Sequence, residues 1–273
     1  MDRALISCER LSDLPAMIEL AESHGLGLEL QEFAFDPNLL DSDWRGSVAR
    51  YRKALSGFSG EITLHGSFFD LFCGSLDRKV VAIARERYRQ NLTIAAEIGA
   101  RLVNFHTNYL PLVDVPHYLP SWAERQVAFW HPLAQEAGAL GVTLVLENMW
   151  EPDPTIQRRV LESVHSPHLR ACLDVSHARI YSKLPLETWI ETFSPFLIYA
   201  HLHNTNGVTD IHLAFDEGLI DMPALLDRLR ALPNPPMFCL ELPNLAAIQS
   251  SLKYLQLDKI MEPSIKNFKA ESY

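Results

Sequence analysis

The chain has 273 residues, 48% of them hydrophobic and 21% charged, which excludes a disordered or low-complexity polymer. Asp and Glu number 34 against 24 Lys and Arg, a formal charge of −10, so the broad basic footprint of a nucleic-acid binder is absent. Carboxylates that bind divalent ions would offset part of that charge.

The elements follow in chain order as short apolar runs separated by longer amphipathic segments. The runs fall at 4–7, 26–30, 62–64, 102–105, 143–146, 171–173, 197–200 and 237–240. Between them, stretches such as VVAIARERYRQNLTIAAEI (80–98) repeat apolar residues at three- and four-residue spacing, which predicts helices. Gly25, Gly99, Gly141, Pro167, Pro195 and Pro233 each stand shortly before a run and mark the connections. Repeated strand–helix units without a linker predict a single (β/α)8 TIM barrel over residues 1–258, followed by a polar extension at 259–273. A doubly wound open sheet is the alternative, and the missing glycine-rich phosphate fingerprint after the first strand weighs against it. The stretch 31–44 (QEFAFDPNLLDSDW) reads as an acidic loop. The apolar, Pro-rich stretch 109–122 is long for a barrel loop; it is expected either to cover a neighbouring site in a homodimer or to lid its own.

Cys8, Cys73, Cys172 and Cys239 are scattered with no CxxC pair, so reduced thiols and a cytoplasmic location are expected. The start, MDRALISCERLSDL, lacks the apolar core of a signal peptide. No apolar run reaches the roughly 20 residues that span a bilayer, so no membrane partner is expected.

Barrel chemistry belongs at the carboxyl ends of the strands. Here six successive strand ends carry potential metal ligands: His65, His106, Glu147, Asp174 with His177, His201, and Glu241. Asp210 and His212 stand in the loop between the seventh and eighth strands, on the same side. One strand-end histidine is ordinarily a hydrogen-bonded structural residue. So many carboxylates gathered at one mouth without cations would repel one another. A mixed imidazole and carboxylate set suits zinc, manganese or cobalt. His203 shares a strand face with His201 and is a candidate for proton transfer or substrate contact; the alternative is a hydrogen bond to a ligand carboxylate. Phe68 and Trp150 are candidate apolar walls, and Lys183 reads as a solvated lysine. Cys172 and Cys239 read as wall residues.

The pieces HGSFFDL, NFH, LEN, CLDVSH, HLHN and D-I-H followed by DEGLID resemble the xylose-isomerase-like barrels, a superfamily that includes endonuclease IV. The resemblance runs from about Gly27 to Glu241, and LELQEF and LENMWEPDP are closest to sugar phosphate isomerase/epimerase-like members. In the sugar branch, the resemblance implies one ion held by Glu147, Asp174, His201 and Glu241. Glu147 and Glu241 there exchange a proton with substrate carbon. The substrate is then a small carbohydrate: a sugar, a sugar phosphate or a related polyol-derived ketone. In the endonuclease IV branch, the resemblance implies three zinc ions and phosphoester hydrolysis. The ligands there correspond to His65, His106, Glu147, Asp174, His177, His201, Asp210, His212 and Glu241. The acidic stretch at 31–44 favours the sugar branch, whereas LHNTNGVTD lacks the arginine that free-ketose epimerases carry after the seventh strand. An isomerase or epimerase is the leading expectation, and a multinuclear zinc phosphoesterase the alternative.

Overall fold

The computed structural model describes residues 1–112, 115 and 117–257. The extension expected at 259–273 lies outside the described residues, as do 113, 114 and 116 of the Pro-rich stretch. The first half of the barrel comprises β1 (Ala4–Cys8), α1 (Leu14–His24), β2 (Gly27–Leu30), α2 (Glu32–Phe35), α3 (Pro37–Asp41), α4 (Trp44–Ala54), β3 (Ile62–His65), α5 (Arg78–Ile98) and β4 (Leu102–His106). The second half continues with α6 (Tyr118–Ala139), β5 (Thr143–Glu147), α7 (Thr155–Val164), β6 (Leu169–Asp174), α8 (Val175–Tyr181), α9 (Leu186–Phe193), β7 (Leu197–Leu202), α10 (Met222–Arg230), β8 (Met237–Leu240) and α11 (Leu245–Leu252). All strand pairs are parallel, and β1 pairs with both β2 and β8, closing the barrel in the order β1 to β8. The expected (β/α)8 barrel is the fold. No helix among the described residues is long and apolar enough to cross a membrane.

Strands covered on both faces read as continuous apolar runs, and these do. Their two faces still separate by the two-residue period of a strand. Leu144, Leu146, Leu173, Ala200 and Leu240 join the large core beneath the helices, whereas Leu5, Leu102, Val145, Cys172, Tyr199 and Cys239 form a smaller cluster inside the barrel. One inward position further along lie Asn104, Glu147, Asp174, His201 and Glu241, and His106 follows one inward position beyond Asn104. The barrel interior is thus an apolar floor beneath a polar mouth.

The stretch 31–44 corrects the expectation of a loop. Asp36 accepts the Asn38 and Leu39 backbone N–H groups, and Pro37 stands in the first turn of α3. The short α2 and a capped α3 therefore occupy the stretch where acidic composition suggested open loop, and Asp43 caps α4 after them; Asp and Pro are favoured helix starters, as at α3.

Two packing features fix the mouth. Tyr88 of α5 stacks on Phe105 of β4 at 4.2 Å and lies 5.5 Å from Trp130 of α6, clamping the strand that ends in His106. After β3, a Cβ on Gly66 would overlap the Phe105 ring, so only glycine lets this backbone pass. The Gly66 carbonyl then lies 2.9 Å from His65 Nδ1.

Candidate metal centre

Glu147, at the end of β5, is buried at the focus of the mouth. Its Oε2 faces His65 Nε2 at 3.8 Å, His106 Nε2 at 3.4 Å and His201 Nδ1 at 3.2 Å, and it accepts the Asn104 amide. Burial would push the Glu147 carboxyl up, but the surrounding imidazoles, His201 and His106 foremost, hold it well below the usual range. Burial and the neighbouring His106 depress His65, which leaves that imidazole neutral. With Nδ1 of His65 donating to the Gly66 carbonyl, its Nε2 lone pair points at Glu147. His106 Nε2 is buried with no hydrogen-bond partner among the described residues. His65, His106 and Glu147 offer ligand atoms within 4.8 Å of one another.

A second set converges on His201. Its Nε2 donates to Glu29 at 3.0 Å, so its Nδ1 lone pair faces Glu147 Oε2 at 3.2 Å and Glu241 Oε2 at 3.1 Å. Nδ1 has no hydrogen-bond partner among the described residues. Three lone-pair atoms at this spacing require a cation among them. Tetrahedral zinc with bonds of about 2.0–2.1 Å has ligand–ligand edges of about 3.3 Å, close to these separations. In metal-free protein a proton takes that place: burial lowers His201, but the Glu29, Glu241 and Glu147 carboxylates raise it well above the ordinary imidazole value. Asp174 stands beside this set, with Glu147 and His177.

The third set repeats the device. His177 Nδ1 donates to the Asn148 carbonyl at 3.0 Å, and His212 Nδ1 to the Glu241 carbonyl at 2.9 Å. The Nε2 atoms of both then face the Asp210 carboxylate, at 3.1 and 3.2 Å. Backbone carbonyls that fix the outer ring nitrogen are the usual support of metal-ligating histidines. The residues present fit divalent ions: His106 Nε2, His201 Nδ1 and Asp210 Oδ1 are buried without hydrogen-bond partners among the described residues, and imidazole with carboxylate is a donor set such ions take. Burial pushes the Cys172 and Cys239 thiols well up, so both stay protonated wall residues.

All the residues expected as ligands thus lie at one mouth. His203, expected to move protons, donates from Nε2 to Asp174 Oδ2 at 2.9 Å and stacks on His212 at 3.8 Å, interplanar angle 5°. It is fully buried, which places it against a ligand carboxylate. Phe68 lies 4.5 Å from the His106 ring, and Phe35 stacks on His65 at 6.2 Å, so a phenylalanine wall flanks the first set. Trp150 is half-buried in the turn after β5, and Lys183 is exposed. A cavity of about 240 Å³ opens over Glu241 and His212, with Ser7, Gln31, Phe35 and Asp210 also in its lining.

Sequence reasoning missed Glu29, Gln31, Asn104 and Glu151. The first two share the inward two-residue period of LELQ with the end of β2, a signal hidden inside a run read only as apolar wall. Glu151 is buried after β5, accepting the Met149 N–H at 2.7 Å and the Thr107 hydroxyl. Burial pushes its carboxyl up from 4.5 to about 7. The raised folded-state value means stability that is full below pH 4.5 and lost as pH rises through about 7. Glu151→Gln should remove that loss. In metal-free protein, urea denaturation at about pH 5 and about pH 8 should find the variant gaining roughly 3 kcal/mol relative to wild type between them. An unchanged difference at the two pH values would contradict the assignment.

Comparison with known proteins bears on the fold and the family. A Thermus thermophilus protein solved after soaking with ZnCl2 is 30% identical, with a TM-score of 0.77 over 94% of this chain and 97% of its own. A D-tagatose 3-epimerase-like protein is 21% identical, with a TM-score of 0.76 over 93% of this chain and 97% of its own, a likeness of fold. The fold is also shared with solved L-ribulose and D-psicose 3-epimerases. An uncharacterised protein of Methanocaldococcus jannaschii is 24% identical over 206 residues, 72% of this chain and 69% of its own. Residues 18–257 match the family described as xylose isomerase-like TIM barrel. With its closed barrel and its histidine and carboxylate mouth, the chain belongs to the xylose isomerase-like TIM barrel family.

Proposed function

We propose that this protein is a divalent-metal-dependent isomerase or epimerase of a sugar or related polyol-derived ketone, with Glu147 and Glu241 exchanging a proton with substrate carbon. One observation carries the reading: the two carboxylates, at the end of β5 and just beyond β8, converge on His201 Nδ1 at 3.2 and 3.1 Å. Glu147, Asp174, His201 and Glu241 would hold the ion, which is zinc, manganese or cobalt. When bound it supplies positive charge that polarises substrate oxygens beside the reacting carbon.

The chain's own side chains do the rest. One glutamate takes the proton from carbon and the other returns a proton to the opposite face. Burial of both carboxylates excludes water, which strengthens their electrostatic hold on substrate. Phe35 and Phe68 supply an apolar wall beside His65 and His106. The described lining of the mouth cavity carries Glu9, Asp210 and Glu241 and neither Lys nor Arg. That lining supports an uncharged sugar over a sugar phosphate, since like charge at a mouth repels an anion.

The His65–His106 and His177–Asp210–His212 sets support further ions, up to three per chain. They also favour the second reading, a multinuclear zinc phosphoesterase acting on abasic DNA or a small phosphate ester. The acidic mouth weighs against a nucleic-acid substrate. Incubating manganese- or zinc-loaded protein with D-tagatose, D-fructose and D-psicose in deuterated water, followed by NMR, separates the readings. The expected product is an epimer or isomer carrying solvent deuterium at the reacting carbon. Conversion without deuterium would overturn the two-glutamate exchange. No conversion, together with cleavage of an abasic oligonucleotide or p-nitrophenyl phosphate, would replace the isomerase by the hydrolase.

A further inference from the structure

Glu29 lies on β2, in register with Ser7 and Thr63, with no exposed surface. A carboxylate in that position is costly unless every lone pair is used. No Lys or Arg touches it among the described residues, so hydrogen bonds must satisfy it. Its Oε2 accepts the Tyr199 hydroxyl at 2.8 Å and His201 Nε2 at 3.0 Å, and its Oε1 accepts Gln31 Nε2 at 3.0 Å. Because the Tyr199 proton points at Glu29, the Thr63 hydroxyl 3.0 Å away donates to Tyr199. The donors run one way, from Thr63 through Tyr199 to Glu29.

Two consequences reach the mouth. The His201 proton is held on Nε2, which leaves Nδ1 as the lone pair facing Glu147 and Glu241. The same Gln31 nitrogen that meets Glu29 also meets Glu241 Oε1 at 2.7 Å. One residue on β2 therefore orients a histidine from β7 and, through Gln31, a glutamate beyond β8.

We propose that Glu29 is a positioning residue of the metal centre, fixing His201 as an Nδ1 ligand and aligning Glu241 through Gln31. The proposal rests on the reading of His201 and Glu241 as ligands. A carboxylate behind a ligating histidine sets its tautomer and raises its basicity, and losing such a partner typically costs 10–100-fold in metal affinity.

Glutamine cannot substitute for Glu29. Either amide orientation puts N–H against the Gln31 donor or against the Tyr199 and His201 donors. Aspartate keeps the charge but withdraws the carboxylate by about one C–C bond, roughly 1.5 Å. Tyr199→Phe removes one donor and leaves the His201 contact. Zinc titration of full-length protein, followed through the 15N resonances of the His201 ring, reads the centre itself. Wild type should show Nε2 protonated and Nδ1 shifted on zinc addition. Glu29→Gln and Glu29→Asp should bind zinc there about 10–100-fold more weakly, and Tyr199→Phe should lose far less. Should the Glu29 variants not fold, the wild-type spectrum of zinc-loaded protein still decides: zinc on Nε2, or a proton remaining on Nδ1 at zinc saturation, would overturn the proposal. Unchanged zinc affinity in folded Glu29→Gln would overturn it too. If zinc leaves the wild-type His201 resonances unmoved, the metal reading itself fails and this proposal with it.

Discussion

Glu147→Gln is expected to lower turnover by at least about 10³-fold and to empty the metal site nearest His65 and His106. The reason is geometric. A single oxygen, Oε2, faces His65, His106 and His201, so this carboxylate is shared between two ligand sets. An amide in its place carries no charge and turns either a donor or a weaker acceptor toward the imidazoles. The Asn104 side chain, which donates to the same oxygen, would then meet a donor in one of the two orientations. Metal content by mass spectrometry and turnover on the active ketose should fall together. A variant that keeps full metal content yet loses turnover would show that Glu147 moves protons without serving as a ligand. A variant that keeps both would remove Glu147 from the site.

Chelation is expected to produce the second large effect, a loss of thermal stability that depends on pH. Ligand that binds only folded protein stabilises by about 4 kcal/mol at a thousandfold excess over its dissociation constant. In the metal-free state, protons do part of this work. Burial lowers His212, but the Asp210 hydrogen bond and the Glu241 charge raise it from 6.5 to about 9. Burial likewise lowers His177, which Asp174, Asp210 and Glu147 together raise well above its ordinary value. For a raised histidine, the stabilisation is full below the unfolded value of 6.5 and lost as pH climbs through the folded value. Metal-free protein should therefore weaken between about pH 6.5 and pH 9, while metal-loaded protein, whose ions displace those protons, should not. Thermal melts with and without manganese should show a larger stabilisation at about pH 8.5 than at about pH 6. Equal shifts at the two pH values would contradict the proton-for-metal exchange.

The amino-acid sequence alone determined the barrel and its working end. Apolar runs of strand length recurring between amphipathic segments leave few ways to bury both faces of a parallel sheet. The strand carboxyl ends then follow from chain direction. His65, His106, Glu147, Asp174, His201 and Glu241 each close an apolar run, so their position at the mouth was legible residue by residue. Asp210 and His212 were legible by their spacing. The tertiary structure decided what those residues face. Which nitrogen of His177, His201 and His212 carries the proton depends on the Asn148 carbonyl, Glu29 and the Glu241 carbonyl, each supplied by another element. Burial decided the charge of Glu151, because a carboxylate in EPDP reads as solvated until Thr107 of the neighbouring loop covers it. Glu29 stayed hidden for the same reason. An acid inside an apolar run has no meaning until barrel closure brings Tyr199 and His201, some 170 residues away, onto its oxygen. Local pattern fixes where side chains point. Only closure of the barrel fixes their partners, and those partners determine tautomer, charge and ligand geometry.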